Sequence, residues 1–239
     1  MRVTVHSYRF AEEIIQHGRH HNAWDEIHTV LRDAPLFVYQ GKSASNAALD
    51  VVQQVMNTYF DRRLAIDLGW EYHPLATSIA GSNLAADYRK TFGNLVIQAE
   101  FQFGNMGRWY SDVFKFQTAY SQKLINLGLS VVPMYSVARR IDSNVVNYER
   151  TLRELPSADL SITLPIILAG LDVDDTTRIV DLRQCQFANI REITGRGNAD
   201  NRWRIVHGYL SGTPMNQIGP GSPTGPRLAE DTTATDADD

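Results

Sequence analysis

The sequence predicts an α/β fold, a mixed central β-sheet flanked by helices. Strand-like and helix-like segments alternate through the body of the chain. Two of the strand segments are apolar on both faces, as buried parallel strands are. A third, Leu95–Phe103, alternates strictly between apolar and polar residues. A chain of 239 residues with 43% hydrophobic content can bury a sizeable core in one domain.

Helical spacing opens at Ala11–Ile15 and returns at Ala23–Leu31, where Trp24, Ile27, Val30 and Leu31 form one stripe and Pro35 sets the stop. Ala47–Leu64 reads as a further helix with Leu49, Val52, Val55, Met56 and Phe60 inward. The strand Leu95–Phe103 follows. Trp109–Leu127 carries Tyr110, Val113, Phe114, Gln117, Tyr120, Leu124 and Leu127 at amphipathic spacing, ended by Gly128. Leu129–Val137 reads as a buried strand, Asn144–Leu155 as a helix and Leu160–Leu171 as a second buried strand. Met1–Gly212 holds no linker-like stretch and is expected to be one domain. Thr213–Asp239 is rich in Pro, Gly, Thr and Asp and is expected to be a disordered acidic tail.

The net charge of −4 sits entirely in that tail, where Arg227 stands against five acidic residues. The neutral body does not exclude a polyanion partner, because a metal-dependent nuclease has acidic residues at its centre and basic ones around it. No apolar run reaches bilayer length; the longest candidate, Ile162–Leu171, is interrupted by Thr163 and Pro165, and no membrane partner is expected. The N-terminus lacks a secretory apolar segment. Cys185 alone supports neither a disulfide framework nor a cysteine-based zinc site, which fits a reducing cytoplasm.

The strand Leu95–Phe103 points Leu95, Ile97, Ala99, Phe101 and Phe103 to one side and Gln98, Glu100 and Gln102 to the other. One reading is an ordinary amphipathic strand with a solvated polar face. The other is a metal centre. Phosphodiester hydrolysis needs an activated water and stabilisation of charge on the phosphate, and one or two Mg²⁺ ions supply both. Mg²⁺ takes hard oxygen ligands, typically one or two carboxylates with water and substrate phosphate. Asp87 and Glu100 suit that role, with the backbone carbonyl of Phe101 as a third ligand. Gln102 can orient the attacking water but can neither take its proton nor add positive charge.

Asp87 followed by Glu100-Phe101-Gln102-Phe103-Gly104-Asn105 resembles the active-site strand of the PD-(D/E)XK nuclease superfamily, in which the last position is usually lysine. Glutamine there resembles the BglII/BstYI-like type II restriction endonucleases. The similarity continues through Tyr8–Ile15, Ala23–Ile27, Leu68-Gly69-Trp70, Asp142–Glu149 and Leu164–Leu171, in family order across Met1–Asp172. Asp87 lies further from Glu100 than in those enzymes, which implies a longer hairpin around Phe92-Gly93-Asn94. Val173–Gly212 has no clear counterpart.

The resemblance implies a restriction-endonuclease-like catalytic domain over residues 1–212 in a prokaryotic cytoplasm. It implies a Mg²⁺-dependent homodimer that cuts double-stranded DNA at a short palindrome, leaving 5′-phosphates, with Asp87, Glu100 and Gln102 catalytic. The Trp109–Leu127 helix would lie near the dimer interface. A cognate DNA methyltransferase is expected in the same system, without being a physical partner. By position Asn105, Asp142, Ser143 and Asn144 match base-contacting places, and Arg139 and Arg140 suit phosphate or guanine. Asp142 or Ser143 also suits the N-cap of the following helix. Two other functions share these features: a DNA-binding protein that keeps the fold without catalysis, and a nuclease without sequence specificity. Lesser candidates are His17, His20 and His21 as zinc ligands, Glu13 or Glu26 as a further acidic ligand, and Arg150 and Arg153 as phosphate contacts.

Overall fold

The computed structural model describes residues 1–158 and 161–228. Its strands are β1 (Arg2–Tyr8), β2 (Leu36–Val38), β3 (Glu71–Tyr72), β4 (Tyr88–Phe92), β5 (Leu95–Phe101), β6 (Leu127–Pro133), β7 (Ile166–Asp172) and β8 (Ile179–Asp181). Its α-helices are α1 (Ala11–Ile15), α2 (His21–Asp33), α3 (Gln53–Phe60), α4 (Met106–Ser121), α5 (Tyr135–Ile141), α6 (Tyr148–Glu154), α7 (Arg191–Thr194) and α8 (Ala199–Leu210).

Of the strands in the main sheet, the three most apolar stand in its middle, as their two-sided burial requires. Six strands run in the order β1-β7-β6-β5-β4-β3, with β5, β6 and β7 mutually parallel and β1, β4 and β3 antiparallel to their neighbours. β2 and β8 form a separate parallel pair. The sheet is therefore mixed, with helices on its faces. Period-2 alternation sends Ile97, Ala99 and Phe101 of β5 into one core beside Ile27, Leu31, Phe60 and Ile205. The opposite face packs under α4 and α6, where Trp109, Val113, Phe116, Val132, Tyr148 and Leu168 meet. α4 comes down close because Gly128 has no side chain; a Cβ there would stand 3.1 Å from the Phe116 ring. Gly170 serves α6 in the same way, since a Cβ there would stand 2.7 Å from Tyr148.

Several element boundaries differ from the sequence reading, each for a local reason. Of Ala47–Leu64 only Gln53–Phe60 is α-helical, and Asp61–Asp67 widens into a π-helix. α4 starts three residues early because Asn105 caps it, its side chain accepting from Arg108 N at 3.0 Å. It ends at Ser121, and Lys123 then turns the chain at φ 60. Gly128 lies inside β6 rather than after a helix. The face of α4 also rotates: Trp109, Asp112, Val113 and Phe116 are buried, while Tyr110 and Phe114 are exposed. The apolar run Leu129–Val137 divides at Pro133, which ends β6 before α5 begins. α6 is capped by Asn147, whose side chain accepts from Arg150 N at 3.0 Å, so neither Asp142 nor Ser143 is its cap. The predicted Leu160–Leu171 strand is β7 from Ile166; its first residue lies outside the described residues.

The expected tail from Thr213 is corrected over its first half. Met215–Gln217 forms a 3₁₀ turn, and Ile218 is 1% exposed in the main core against Gly208 of α8. Gln186 N donates to Ile218 O at 2.7 Å, and Arg204 Nε donates to Ser222 O at 2.9 Å. One apolar residue in a Pro/Gly-rich stretch is enough to fasten it when a glycine-floored slot receives it. The last eleven residues of that expected tail, 229–239, lie outside the described residues. Among the described residues no helix is long and apolar enough to cross a membrane.

Replacing Ile218 with Ala is expected to cost about 2–4 kcal/mol in urea denaturation. A chain ending at Gly212 should unfold at lower urea than one ending at Leu228. Equal midpoints for those two truncations would show that the segment contributes no packing energy.

Candidate active site

The hairpin β4–β5 brings the two predicted carboxylates together. Gly93 takes φ 64 in a two-residue turn, and Phe92 pairs with Leu95. The register continues to Tyr88 opposite Ala99, so the next position places Asp87 across from Glu100. Their thirteen-residue separation in sequence is consumed by two full strands. Asp87 Oδ2 accepts the Phe101 amide at 2.7 Å, which fixes the carboxylate at the C-terminal end of β5. Next to it, His73 holds a left-handed backbone at φ 51 and donates its amide to Asp87 O at 3.0 Å. Non-glycine residues held at positive φ concentrate where structure serves a site.

Glu100 is 1% exposed, so its polar strand face meets protein and not solvent. Its Oε1 accepts from Gln98 Nε2 at 3.1 Å, and Arg89 supports Gln98 Oε1 at 3.3 Å. Its Oε2 accepts from Lys115 Nζ at 3.1 Å. Lys115 also donates to Asp112 Oδ1 at 2.9 Å, one helical turn earlier on α4. Gln102 closes the circuit: its Nε2 donates to Asp112 Oδ2 at 2.8 Å, and its Oε1 accepts from Gly104 N at 2.8 Å. A Cβ on Gly104 would stand 2.7 Å from that same Oε1, so a side chain there would displace the Gln102 amide. Gln102 therefore holds Asp112 and the Gly104 turn.

Burial raises the Asp87 carboxyl to about 6, and the charge of Asp112 adds to it while Lys115 opposes. Glu100 is pushed well above the usual carboxylate range by burial first, then by Asp87 and Asp112. Burial also raises Asp112, against the hold of Lys115 and Gln102. Burial alone would lower the Lys115 amine, but Glu100, Asp112 and Asp87 together hold it above its ordinary value. Three carboxylates thus share one ammonium, and the site is short of positive charge.

Glu100 itself is buried, and Asp87, Gln102, Gly104, Asp112 and Lys115 line a cavity of about 360 Å³ together with Gln53, Asn57 and Asp61. The last three recur every four residues and form a polar stripe along α3 and its π-helical extension. Asp61 Oδ1 accepts from the Tyr88 hydroxyl at 2.6 Å; burial raises its carboxyl to about 7, against that hydrogen bond. Among the described residues no three His, Cys, Asp or Glu side chains form a ready-made metal centre. Two carboxylates and a main-chain carbonyl, completed by water and phosphate oxygens, nonetheless match what Mg²⁺ takes. Asp87, Glu100 and the Phe101 carbonyl are the groups the sequence names for that set.

From this cavity the surface runs past Gln53, Gly104 and Arg108 to a trough lined by Asn105, Asp142 and Asn144. Val146 N donates to Gly104 O at 2.8 Å, and Asn105 bridges Val145, so the loop before α6 is tied to the end of the active strand. Asn105, Ser143 and Asn144 line one depression; Arg139, Asp142 and Ser143 line its neighbour. Arg140 faces elsewhere: its guanidinium grips Asp50 through Nε at 2.9 Å and a terminal nitrogen at 2.8 Å. Glu26 accepts from Trp70 Nε1 at 2.7 Å and Lys90 Nζ at 2.8 Å, outside the cavity, and is a structural anchor. Glu13 accepts from Ser7, and Arg150 pairs with Glu154 on the surface of α6.

The sequence reading did not single out Asp112, Lys115 or Asp61. A signal for the first two is present, since both fall in phase with Trp109, Val113 and Phe116 on the inward face of α4. Charged residues on a buried helical stripe require partners.

Residues 3–171 match the family model described as restriction endonuclease BglII/BglIII. The fold is similar to a crystal structure of restriction endonuclease BglII complexed with a DNA 16-mer, at TM-score 0.62 and 20% identity, covering 80% of this chain and 87% of that one. It is also similar to a crystal structure of free BglII, at TM-score 0.50 and 18% identity, covering 74% and 82%. No match is found among curated proteins. The structural likeness bears on the fold, while the family match spans well over half the sequence. The chain belongs to the restriction endonuclease BglII/BglIII family, and with it to the type II site-specific deoxyribonucleases.

Proposed function

We propose that the protein is a Mg²⁺-dependent homodimer that cleaves double-stranded DNA at a short palindromic site and leaves 5′-phosphate and 3′-hydroxyl ends. The observation that carries this reading is the pairing of Asp87 and Glu100 at the end of β5, beside a polar cavity that Asp87 lines and that is continuous with the Asn105–Asn144 trough. Asp87, Glu100 and the Phe101 carbonyl would hold Mg²⁺, which would supply water activation and charge for the phosphate. The chain's own contribution is rigidity. The Phe101 amide fixes Asp87, Gln98 fixes Glu100, and Gln102 fixes Asp112. Side chains held by such supports meet a substrate without reorganising.

Asn105, Ser143 and Asn144 are proposed to read base edges, with Arg139 and Asp142 beside them, because they line one continuous concave surface. Asn105 Oδ1 already accepts the Arg108 amide, which leaves its Nδ2 to donate to a base. Arg140 braces the recognition loop from behind through Asp50. Pairing of two copies is proposed through α4, whose Phe114 is 62% exposed next to exposed Tyr110. A two-fold dimer presents two such sites to a two-fold symmetric sequence. The proposed setting is the prokaryotic cytoplasm, alongside a methyltransferase that marks the same site.

Glu100→Gln and Asp87→Asn should each slow single-turnover cleavage of plasmid DNA in Mg²⁺ by about 100-fold or more. Wild-type rate in Glu100→Gln would dispose of the site. Binding of discrete sequences with no cleavage would favour the non-catalytic protein, and a smear in place of discrete fragments would favour a nonspecific nuclease.

The carboxyls of Asp87 and Asp61 stand at about 6 and about 7, above the ordinary 3.8. The folded protein then keeps protons that the unfolded chain releases from about pH 4 upward, so this contribution to stability is lost as pH rises toward 7. A cation that binds the ionised forms reverses the trend. Ca²⁺ should therefore raise the melting temperature more at about pH 8 than at about pH 5.5; equal shifts would contradict it.

Phe114→Asp should convert dimer to monomer in sedimentation velocity and abolish double-strand cutting. A dimer of unchanged affinity would move the interface off α4.

A further inference from the structure

Among the described residues Lys115 is the only lysine lining the cavity. Its ammonium lies 3.1 Å from Glu100 Oε2 and 2.9 Å from Asp112 Oδ1, with 17% of its side chain exposed against 1% and 6% for the two carboxylates. Glu100 Oε1 is already taken by Gln98. A divalent cation that uses Glu100 therefore meets a positive charge on the oxygen it needs. The two cations cannot occupy that oxygen together without strong repulsion.

Asp112 gives Lys115 somewhere to stay. Gln102 Nε2 occupies Asp112 Oδ2 and leaves Oδ1 turned to the ammonium. The i,i+3 spacing on α4 keeps the pair together whatever happens at Glu100. The strand residue Gln102 adds no charge itself; it holds the carboxylate that holds the cation.

Resting on the proposed nuclease reading, we infer that Lys115 is a positioning residue that is the internal counter-ion of Glu100, competes with the divalent cation there and, still anchored by Asp112, turns its ammonium to the substrate phosphate once the cation binds. Phosphate is a natural acceptor for an ammonium that has lost one of two carboxylates.

The test uses the full chain and three variants, Lys115→Met, Lys115→Gln and Lys115→Arg, each checked for melting temperature. Calorimetric titration with Ca²⁺ alone reads the competition. Lys115→Met and Lys115→Gln should bind Ca²⁺ about tenfold more tightly than wild type, and Lys115→Arg should stay close to wild type. A merely structural lysine would leave that affinity unchanged or weaken it as the carboxylates lose their frame. Single-turnover plasmid cleavage at saturating Mg²⁺ should fall about 100-fold in the Met and Gln variants, with Lys115→Arg recovering most of the loss. Unchanged or weaker Ca²⁺ binding in both neutral variants overturns the inference, as does cleavage at wild-type rate in either. If wild type cleaves and these variants match it, only the role of Lys115 is lost. If wild type neither binds Ca²⁺ nor cleaves, the nuclease reading falls and this inference with it.

Discussion

One hydrogen bond organises the site: the Phe101 amide to Asp87 Oδ2 at 2.7 Å. Asp87 precedes its strand by one residue, where the β4–β5 ladder runs out. Without that bond its side chain would lie at a frayed strand end and share nothing with Glu100. With it, a carboxylate replaces the missing ladder partner of Phe101, and two acidic groups face each other across a strand pair. Like charges directly opposite in a ladder are destabilising. The rest of the cavity answers that repulsion.

The answer comes from α4, and α4 is placed by small residues. Gly128 lets Phe116 settle on β6, and Trp109 Nε1 donates to Ser130 Oγ at 3.1 Å on the strand next to Glu100. These contacts set the helix at the depth where Lys115 reaches Glu100. Asn105 fixes where the helix begins, and the same segment carries Gly104, which Gln102 grips. The ammonium, its holder and the start of the recognition trough are thus one continuous stretch of chain. The opposite wall has a different support. α8 packs on α3 and buries Ile205 and Val206 in the core that Val55, Met56 and Tyr59 share. The region after residue 171, which the family model does not span, holds the stripe of Gln53, Asn57 and Asp61 in place.

The sheet and the strand bearing Glu100 were legible because they depend on local periodicity. Leu95–Phe101 alternates, and nothing distant alters that. The Asp87 pairing was legible through the resemblance, and its unusual spacing resolves once Gly93 is seen to close a tight hairpin. The phase of α4 was not legible, because Tyr110-Phe114-Gln117 and Trp109-Val113-Phe116 are both credible stripes; the choice depends on the glycine and serine of β6. α5 was hidden inside an apolar run that only Pro133 divides. The segment after Thr213 looked too polar to fold, and the slot over Gly208 that receives Ile218 is visible only in three dimensions. Lys115 was missed for a related reason. Its partner lies fifteen residues away on another element, and sequence spacing says nothing about contacts between a helix and the strand beneath it.

The substitution at position 102 is consistent with this geometry. A lysine there would extend from the strand end toward the carboxylates that Lys115 contacts, and it would offer no acceptor to the Gly104 amide. Glutamine removes the charge and keeps a donor and an acceptor, and both are used, one on Asp112 and one on Gly104. A leucine or alanine in its place would leave Asp112 Oδ2 buried without a donor, and a buried carboxylate oxygen lacking one is costly. The identity of residue 102 is therefore tied to Asp112 and Lys115 on the neighbouring helix, so the three residues are expected to tolerate change only together.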